Sequence, residues 1–211
     1  MPAASPWPTI HAERAALARD LAPVPEAAWS TPSLCEGWTV QELLGHMTAT
    51  ATKTPARFFS GLARARFRFS EMSRRDAEEE AKGTPAEALE RFRAHISDTT
   101  APPGPVDSWL GETIVHSTDI RWPLRLEHEF PAEALIRVAD FYRRSNLLIG
   151  AKRRVAGVRL TATDASWTVG EGPEVSGPLL ALVMAMTGRA QALTRLSGPG
   201  TEVLAARCSG T

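Results

Sequence analysis

Apolar residues recur every three or four positions over most of the first two thirds of the chain. This period places them on one face of a helix, with polar residues on the other. Thr39 with Glu42 forms a candidate capping box, and Thr84 is a candidate N-cap before a proline. The pattern predicts five helices, at residues 9–22, 40–62, 85–100, 108–122 and 131–150.

The pattern changes after Gly150. Residues 155–172 alternate and end in turn residues, as a short hairpin does. Residues 178–196 favour another helix with an internal glycine, and residues 201–207 favour a last short strand. We therefore expect a mainly α protein, with helices over residues 1–150 and a small α+β module over residues 151–211.

Composition excludes several classes of function. The sequence has 43% hydrophobic and 23% charged residues, and 24 basic residues balance 24 acidic ones. This balance gives no positive field for nucleic acid or an anionic bilayer, so neither is an expected partner. No apolar run is long enough to span a membrane. The arginines between Arg57 and Arg75 are interpreted as a solvated helix face.

The two cysteines, Cys35 and Cys208, indicate a reducing compartment. They are too few for a disulfide scaffold and lack the spacing of a thiolate metal site, and Cys35 is interpreted as a small packing residue. The first thirty residues, rich in proline and charge, contain no signal peptide. We expect a cytoplasmic protein, as a monomer or a homodimer.

A candidate metal site lies in the fourth predicted helix. Glu112 and His116 are four positions apart, so they share one helix face and could bind one ion. A catalytic zinc site usually takes three protein ligands, and His46 in the second predicted helix could supply the third. Each residue also has an ordinary interpretation, as a solvated pair or as a histidine packed between helices. Spacing alone leaves both open.

The longer motifs around these residues carry a family resemblance. Residues 34–46 (LCEGWTVQELLGH) and 111–124 (GETIVHSTDIRWPL) resemble signature segments of the actinobacterial maleylpyruvate isomerase family of mycothiol-dependent enzymes. That family belongs to the DinB-like superfamily of metal-binding four-helix bundles. Residues 162–178, the Thr187–Arg189 step and the turn at 196–200 resemble its small C-terminal module. The resemblance thus extends over nearly the whole chain.

The resemblance implies a ligand set and a cosubstrate. His46, Glu112 and His116 match the family's three metal ligands, with zinc as the expected ion, and mycothiol is the implied thiol. Arg189 is similar to an arginine that the family contributes to its active site; otherwise it is a helix-end cation. Asp119 and Arg121 could support the metal and cofactor site from behind the ligands, or could form a surface ion pair.

A metal-bound thiol is a thiolate at neutral pH and can attack an electrophilic carbon. If the adduct eliminates the thiol after bond rotation, the result is cis–trans isomerisation of the maleylpyruvate type; if it persists, the result is S-transfer or conjugation. Arg189 could bind a substrate carboxylate. Two alternatives stay open: a hydrolase that uses metal-activated water, and a non-catalytic binding or regulatory module with a structural metal.

Overall fold

The computed structural model describes residues 4–147 and 149–208. Within them the protein is mainly helical with one three-stranded sheet, which confirms the expected fold class. Contacts divide the chain into two compact units, one up to His128 and one from Glu129 onward. None of the described helices has the length and apolar character to cross a bilayer.

The described residues of the first unit form six α-helices. The helices are α1 (Trp7–Leu21), α2 (Val40–Thr52), α3 (Pro55–Arg64), α4 (Phe69–Glu80), α5 (Pro85–Ala94) and α6 (Val106–Arg121). Residues of α1, α2, α5 and α6 form one hydrophobic core with Trp29 of a short 3₁₀ helix at Glu26–Ser30; its members include Leu17 of α1 and Leu44 of α2. These four helices form the predicted bundle, and α3 and α4 are inserted between its second and third members.

The helix α2 is held at its start by a side-chain cap and along its length by a close contact. Thr39 and Glu42 form the predicted capping box. Gly45, one turn later, faces the backbone of α4, where a Cβ atom would lie 2.5 Å from the carbonyl oxygen of Ala77. Only glycine allows the two helices to approach this closely, and the contact places His46 beside α4.

The prediction of a single helix over residues 40–62 is wrong. The chain leaves the helical conformation at Lys53, and Thr54 caps a new helix whose first residue is Pro55. A proline has no amide hydrogen to donate and clashes with the preceding turn, so it begins α3 instead of continuing α2. The predicted start at Pro85 is confirmed, with Thr84 and Glu87 forming a second capping box.

The second unit combines four α-helices with the sheet. Strand β1 (Arg159–Ala162) pairs antiparallel with β2 (Thr168–Val169), which confirms the predicted hairpin, and parallel with β3 (Glu174–Gly177). The guanidinium of Arg154 donates to the carbonyls of Ile149 and Met186. The helices are α7 (Ala132–Tyr142), α8 (Ala151–Arg154), α9 (Leu179–Met186) and α10 (Thr201–Cys208).

Two predictions in this unit are wrong. Residues 201–207 form α10 rather than a strand, because Leu204 and Cys208 are buried one turn apart. The helix predicted over 178–196 ends at Met186, since Gly188 adopts a φ of 95°. A short 3₁₀ helix, Ala190–Arg195, follows it. By contacts, the two units divide before α7; the domain boundary near residue 150 stays a prediction.

Candidate metal centre

The three residues of the predicted ligand set lie together. His46 is on α2, and Glu112 and His116 are one turn apart on α6. Their metal-binding atoms all lie within 4.8 Å of one another. Nε2 of His46 is 3.8 Å from Oε1 of Glu112, and the two imidazole rings are perpendicular, with centroids 5.1 Å apart. The described residues thus bring two imidazoles and one carboxylate to one point of the first unit.

The Nδ1 atom of each histidine contacts a polar side chain that holds the ring in position. Nδ1 of His116 is 3.0 Å from Oδ2 of Asp119, whose side chain is fully buried. Nδ1 of His46 is 3.1 Å from the hydroxyl of Ser73 on α4. Because a carboxylate can only accept, it fixes the His116 tautomer in which Nδ1 carries the hydrogen and Nε2 keeps its lone pair. His116 therefore keeps the lone pair of Nε2 for a ligand, and Nε2 of His46 faces the Glu112 carboxylate.

Burial shifts the pKa values of two of these residues, His46 and Glu112. It lowers the pKa of His46 to about 3, and the neighbouring His116 and Lys53 act in the same direction. Burial also raises the pKa of Glu112, whereas His116, Arg14 and the Thr50 hydroxyl act against this rise. A neutral imidazole is the form that binds a metal. His46 is thus held in its ligand form at neutral pH.

The residues fit a divalent cation. Oε1 of Glu112 is buried and accepts no hydrogen bond from the residues described. A buried polar atom without a partner costs about 1–3 kcal/mol, and a cation between this oxygen and the imidazoles would satisfy it. Two ligands of one tetrahedral zinc ion are about 3.4 Å apart. The 3.8 Å separation of His46 Nε2 and Glu112 Oε1 is close to that value.

The other predicted site residues lie in different places. Asp119 contacts His116 as expected, and Arg121 pairs with Asp20 of α1, 2.7 Å away. A surface pair of Asp119 with Arg121 is also wrong, because both residues are at most 1% exposed. Arg189 belongs to the second unit, where its guanidinium donates to the carbonyl of Thr187 at the end of α9. Its catalytic role stays a prediction.

Four residues around the centre were missed by the sequence reasoning. Ser73 fixes a ring, Thr50 and the buried Arg14 act on the Glu112 carboxylate, and Lys53 lies near His46. Ser73, Thr50 and Arg14 belong to helices other than α6, and Lys53 follows the end of α2; none stands in a motif with a ligand. Only the C-terminal end of α2, with Thr50 four positions after His46 and Lys53 just beyond the helix, carried a usable signal.

We expect Asp119→Asn to weaken metal binding about 10–100-fold, the range typical for partners that orient a ligand histidine. Asparagine keeps the size of the buried side chain but presents an amide that can donate, which permits the wrong tautomer of His116. Titration of metal-free protein with zinc measures the change. Asp140→Asn is the control, because Asp140 is also a carboxylate that accepts side-chain hydrogen bonds, from Arg143 and Trp167, but belongs to the second unit. An unchanged zinc affinity in Asp119→Asn would contradict the orienting role.

Comparisons with known proteins found a matching family and two solved structures of similar fold. A family model described as the mycothiol maleylpyruvate isomerase N-terminal domain matches residues 10–129. A crystal structure of the mycothiol-dependent maleylpyruvate isomerase shares the fold, with a TM-score of 0.63 and 15% identity over 92% of each chain. A histidine-to-alanine mutant of the mycothiol-dependent maleylpyruvate isomerase also has a TM-score of 0.63, at 14% identity over 92% of each chain. No curated protein matches the sequence.

The match covers more than half of the chain and includes all three converging residues, His46, Glu112 and His116. It confirms the family that the motifs at residues 34–46 and 111–124 indicated. The chain therefore belongs to the mycothiol maleylpyruvate isomerase family, a family of enzymes.

Proposed function

We propose that the protein is a metal-dependent enzyme that activates mycothiol for attack on an electrophilic substrate. The observation that carries the proposal is the convergence of His46, Glu112 and His116 around a buried carboxylate oxygen that has no partner among the described residues. Zinc is the proposed ion, since two imidazoles and one carboxylate leave a position open for an exogenous ligand. Family membership supplies the identity of the thiol.

A divalent cation bound by these residues supplies positive charge that lowers the pKa of a thiol ligand, so that thiolate is present at neutral pH. The chain's own residues prepare the place for it. His46 and His116 contribute no charge, and Glu112 contributes one negative charge, which leaves the centre net positive. Asp119 and Ser73 keep both rings in position while the thiol enters and leaves.

The thiolate sulfur would form a bond to an electrophilic carbon of the second substrate. If the carbon–carbon bond then rotates and the sulfur leaves again, the net reaction is cis–trans isomerisation, with the thiol regenerated. If the carbon is protonated and the sulfur stays, the product is an S-conjugate. We propose Arg189 as the residue that binds a substrate carboxylate, because a guanidinium matches its two oxygens.

Turnover assays with purified protein, zinc and mycothiol test the proposal. Maleylpyruvate reports isomerisation, and an electrophilic acceptor such as an activated alkene reports conjugation. Turnover should require both zinc and thiol, and His46→Ala should abolish it, whereas His95→Ala at a partly exposed histidine should not. Activity on ester or amide substrates without any thiol would instead indicate hydrolysis by activated water. Metal binding without turnover of any kind would favour a structural metal.

A further inference from the structure

The segment from Lys53 to Ser70 differs from the rest of the chain in charge and in exposure. It contains no aspartate or glutamate. Large apolar residues alternate with its cations, and we call it the basic aromatic segment. Its cations are Lys53, Arg57, Arg64, Arg66 and Arg68, and its large apolar residues are Phe58, Phe59, Leu62, Phe67 and Phe69.

The helix of this segment, α3, has no buried residue although it is strongly amphipathic. At 100° per residue, Phe58, Phe59 and Leu62 share one face, and Arg57 and Arg64 lie on the opposite face. The Phe59 side chain is 60% exposed. Phe58 and Leu62 are half-buried, and the ring of Phe58 lies 6.2 Å from that of Phe69 at the start of α4. The described chain therefore covers this apolar face only in part, and Phe59 remains available for a further contact.

The turn after α3 extends the same surface. Arg66 and Phe67 have φ values of 52° and 61°, a left-handed conformation that side chains other than glycine rarely adopt. It leaves Phe67 79% exposed and Phe69 40% exposed. The buried Ala65 fixes the turn to the rest of the unit. Phe69 also packs against Phe58, with ring centroids 6.2 Å apart, so the strained turn presents chiefly Phe67 to solvent.

Two cations of the segment are paired with acidic residues of α4, Lys53 with Asp76 and Arg68 with Glu71, but three of its arginines keep their charge available. Arg57, Arg64 and Arg66 form no ion pair with any residue that the structure describes, whereas on α4 Arg74 pairs with Glu78 and Arg75 with Glu71. The surface is therefore locally cationic, although the whole chain has no net charge. A partner surface that is complementary to it would carry negative charge and would have an apolar layer beneath that charge.

We propose that the basic aromatic segment docks the protein on the surface of a bilayer rich in anionic phospholipid. A helix with low mean hydropathy, aromatic residues on one face and arginines on the other lies in the interface between headgroups and acyl chains. A second copy of this chain fits the surface less well, because a symmetric contact would bring the unpaired arginines together. Nucleic acid fits less well too, since the phenylalanines are segregated onto one face. The proposal replaces the earlier expectation of a solvated helix face without a membrane partner.

Co-sedimentation with vesicles tests the proposal on the full chain. The protein should bind vesicles of phosphatidylglycerol mixed with phosphatidylcholine, should not bind phosphatidylcholine alone, and should be released by high salt. Replacing Arg64 and Arg66 with glutamine should weaken binding about fivefold per arginine. Replacing Phe59 and Phe67 with serine should weaken it about tenfold or more.

Matched controls use exposed residues of the second unit. The pair Arg153→Gln and Arg159→Gln removes the same charge, and Leu147→Ser, at a side chain that is 50% exposed, removes apolar surface. These variants should bind vesicles as the wild type does, and thermal melts should show that all variants are folded. Absent or salt-insensitive binding, or equal losses in test and control variants, would overturn the proposal. So would self-association or RNA retention that disappears in the phenylalanine variant, because the occupant would then be a second copy or a nucleic acid.

Discussion

Replacing Glu112 with glutamine is expected to abolish metal-dependent stabilisation and to lower turnover at least about a hundredfold, since a metal centre stabilises a transition state by several kcal/mol. The side chain keeps its size but loses the negative charge that a cation needs. Metal-free Glu112→Gln should be at least as stable as the metal-free wild type, because the substitution removes a carboxyl group whose pKa is raised by burial. If Glu112 is a metal ligand, its replacement removes the effect of the metal without destabilising the metal-free protein; if it is a structural residue, its replacement destabilises the metal-free protein.

Thermal melts with and without zinc measure both effects. Zinc at about 100 times its dissociation constant stabilises the wild type by about 2.7 kcal/mol, which corresponds to several degrees in Tm, and should leave Glu112→Gln unchanged. Glu127→Gln removes an equal charge at an exposed carboxylate near the end of the first unit and serves as the control. A wild-type response to zinc in Glu112→Gln would remove this glutamate from the ligand set.

Gly45→Ala is expected to destabilise the protein by about 2–3 kcal/mol, toward the upper end of what overpacking costs. The new methyl group would lie 2.5 Å from the carbonyl oxygen of Ala77 and 2.9 Å from the amide nitrogen of Ala81. Both are backbone atoms of α4 or of the residue that ends it, so relief requires the helices to separate. Urea unfolding measures the loss. Zinc affinity should fall as well, because α4 carries Ser73 and residue 45 precedes His46.

Gly61→Ala is the matched control for that prediction. Gly61 also lies in a helix against α4, but its added Cβ would meet the terminal sulfur of Met72 at 3.1 Å, and a flexible methionine can move. Alanine is preferred over glycine in a helix by about 1 kcal/mol, so this variant should be neutral or slightly stabilised. Equal losses in the two variants would contradict a rigid contact specific to Gly45.

Local sequence rules for helix formation predicted most of the fold. Thr39 and Thr84 identified two helix starts, because each capping side chain and the glutamate that pairs with it are only three residues apart. The hairpin of β1 and β2 followed from alternation in the same way. The failures occurred where local and distant effects compete. Residues 201–207 contain a strand-like Val-Leu pair, but packing within the second unit favours a helix there.

The candidate site, too, could be predicted from the sequence only in part. The ligands could be predicted because Glu112 and His116 are neighbours on one helix and because motifs of the sequence contain all three. Ser73 and Arg14 could not, since each is a common polar residue that reaches the site only after several helices have packed. The periodicity of apolar residues along the sequence does not predict such a contact. Family resemblance supplied the identity of the thiol, which the ligand geometry leaves open.

The three candidate ligands and the partners of both rings, Asp119 and Ser73, all lie within the first unit, and the family model matches nearly that same stretch, residues 10–129. The proposed metal centre is therefore formed by residues of one unit. Substitutions in the second unit would change neither the atoms proposed to hold the ion nor the side chains that orient them.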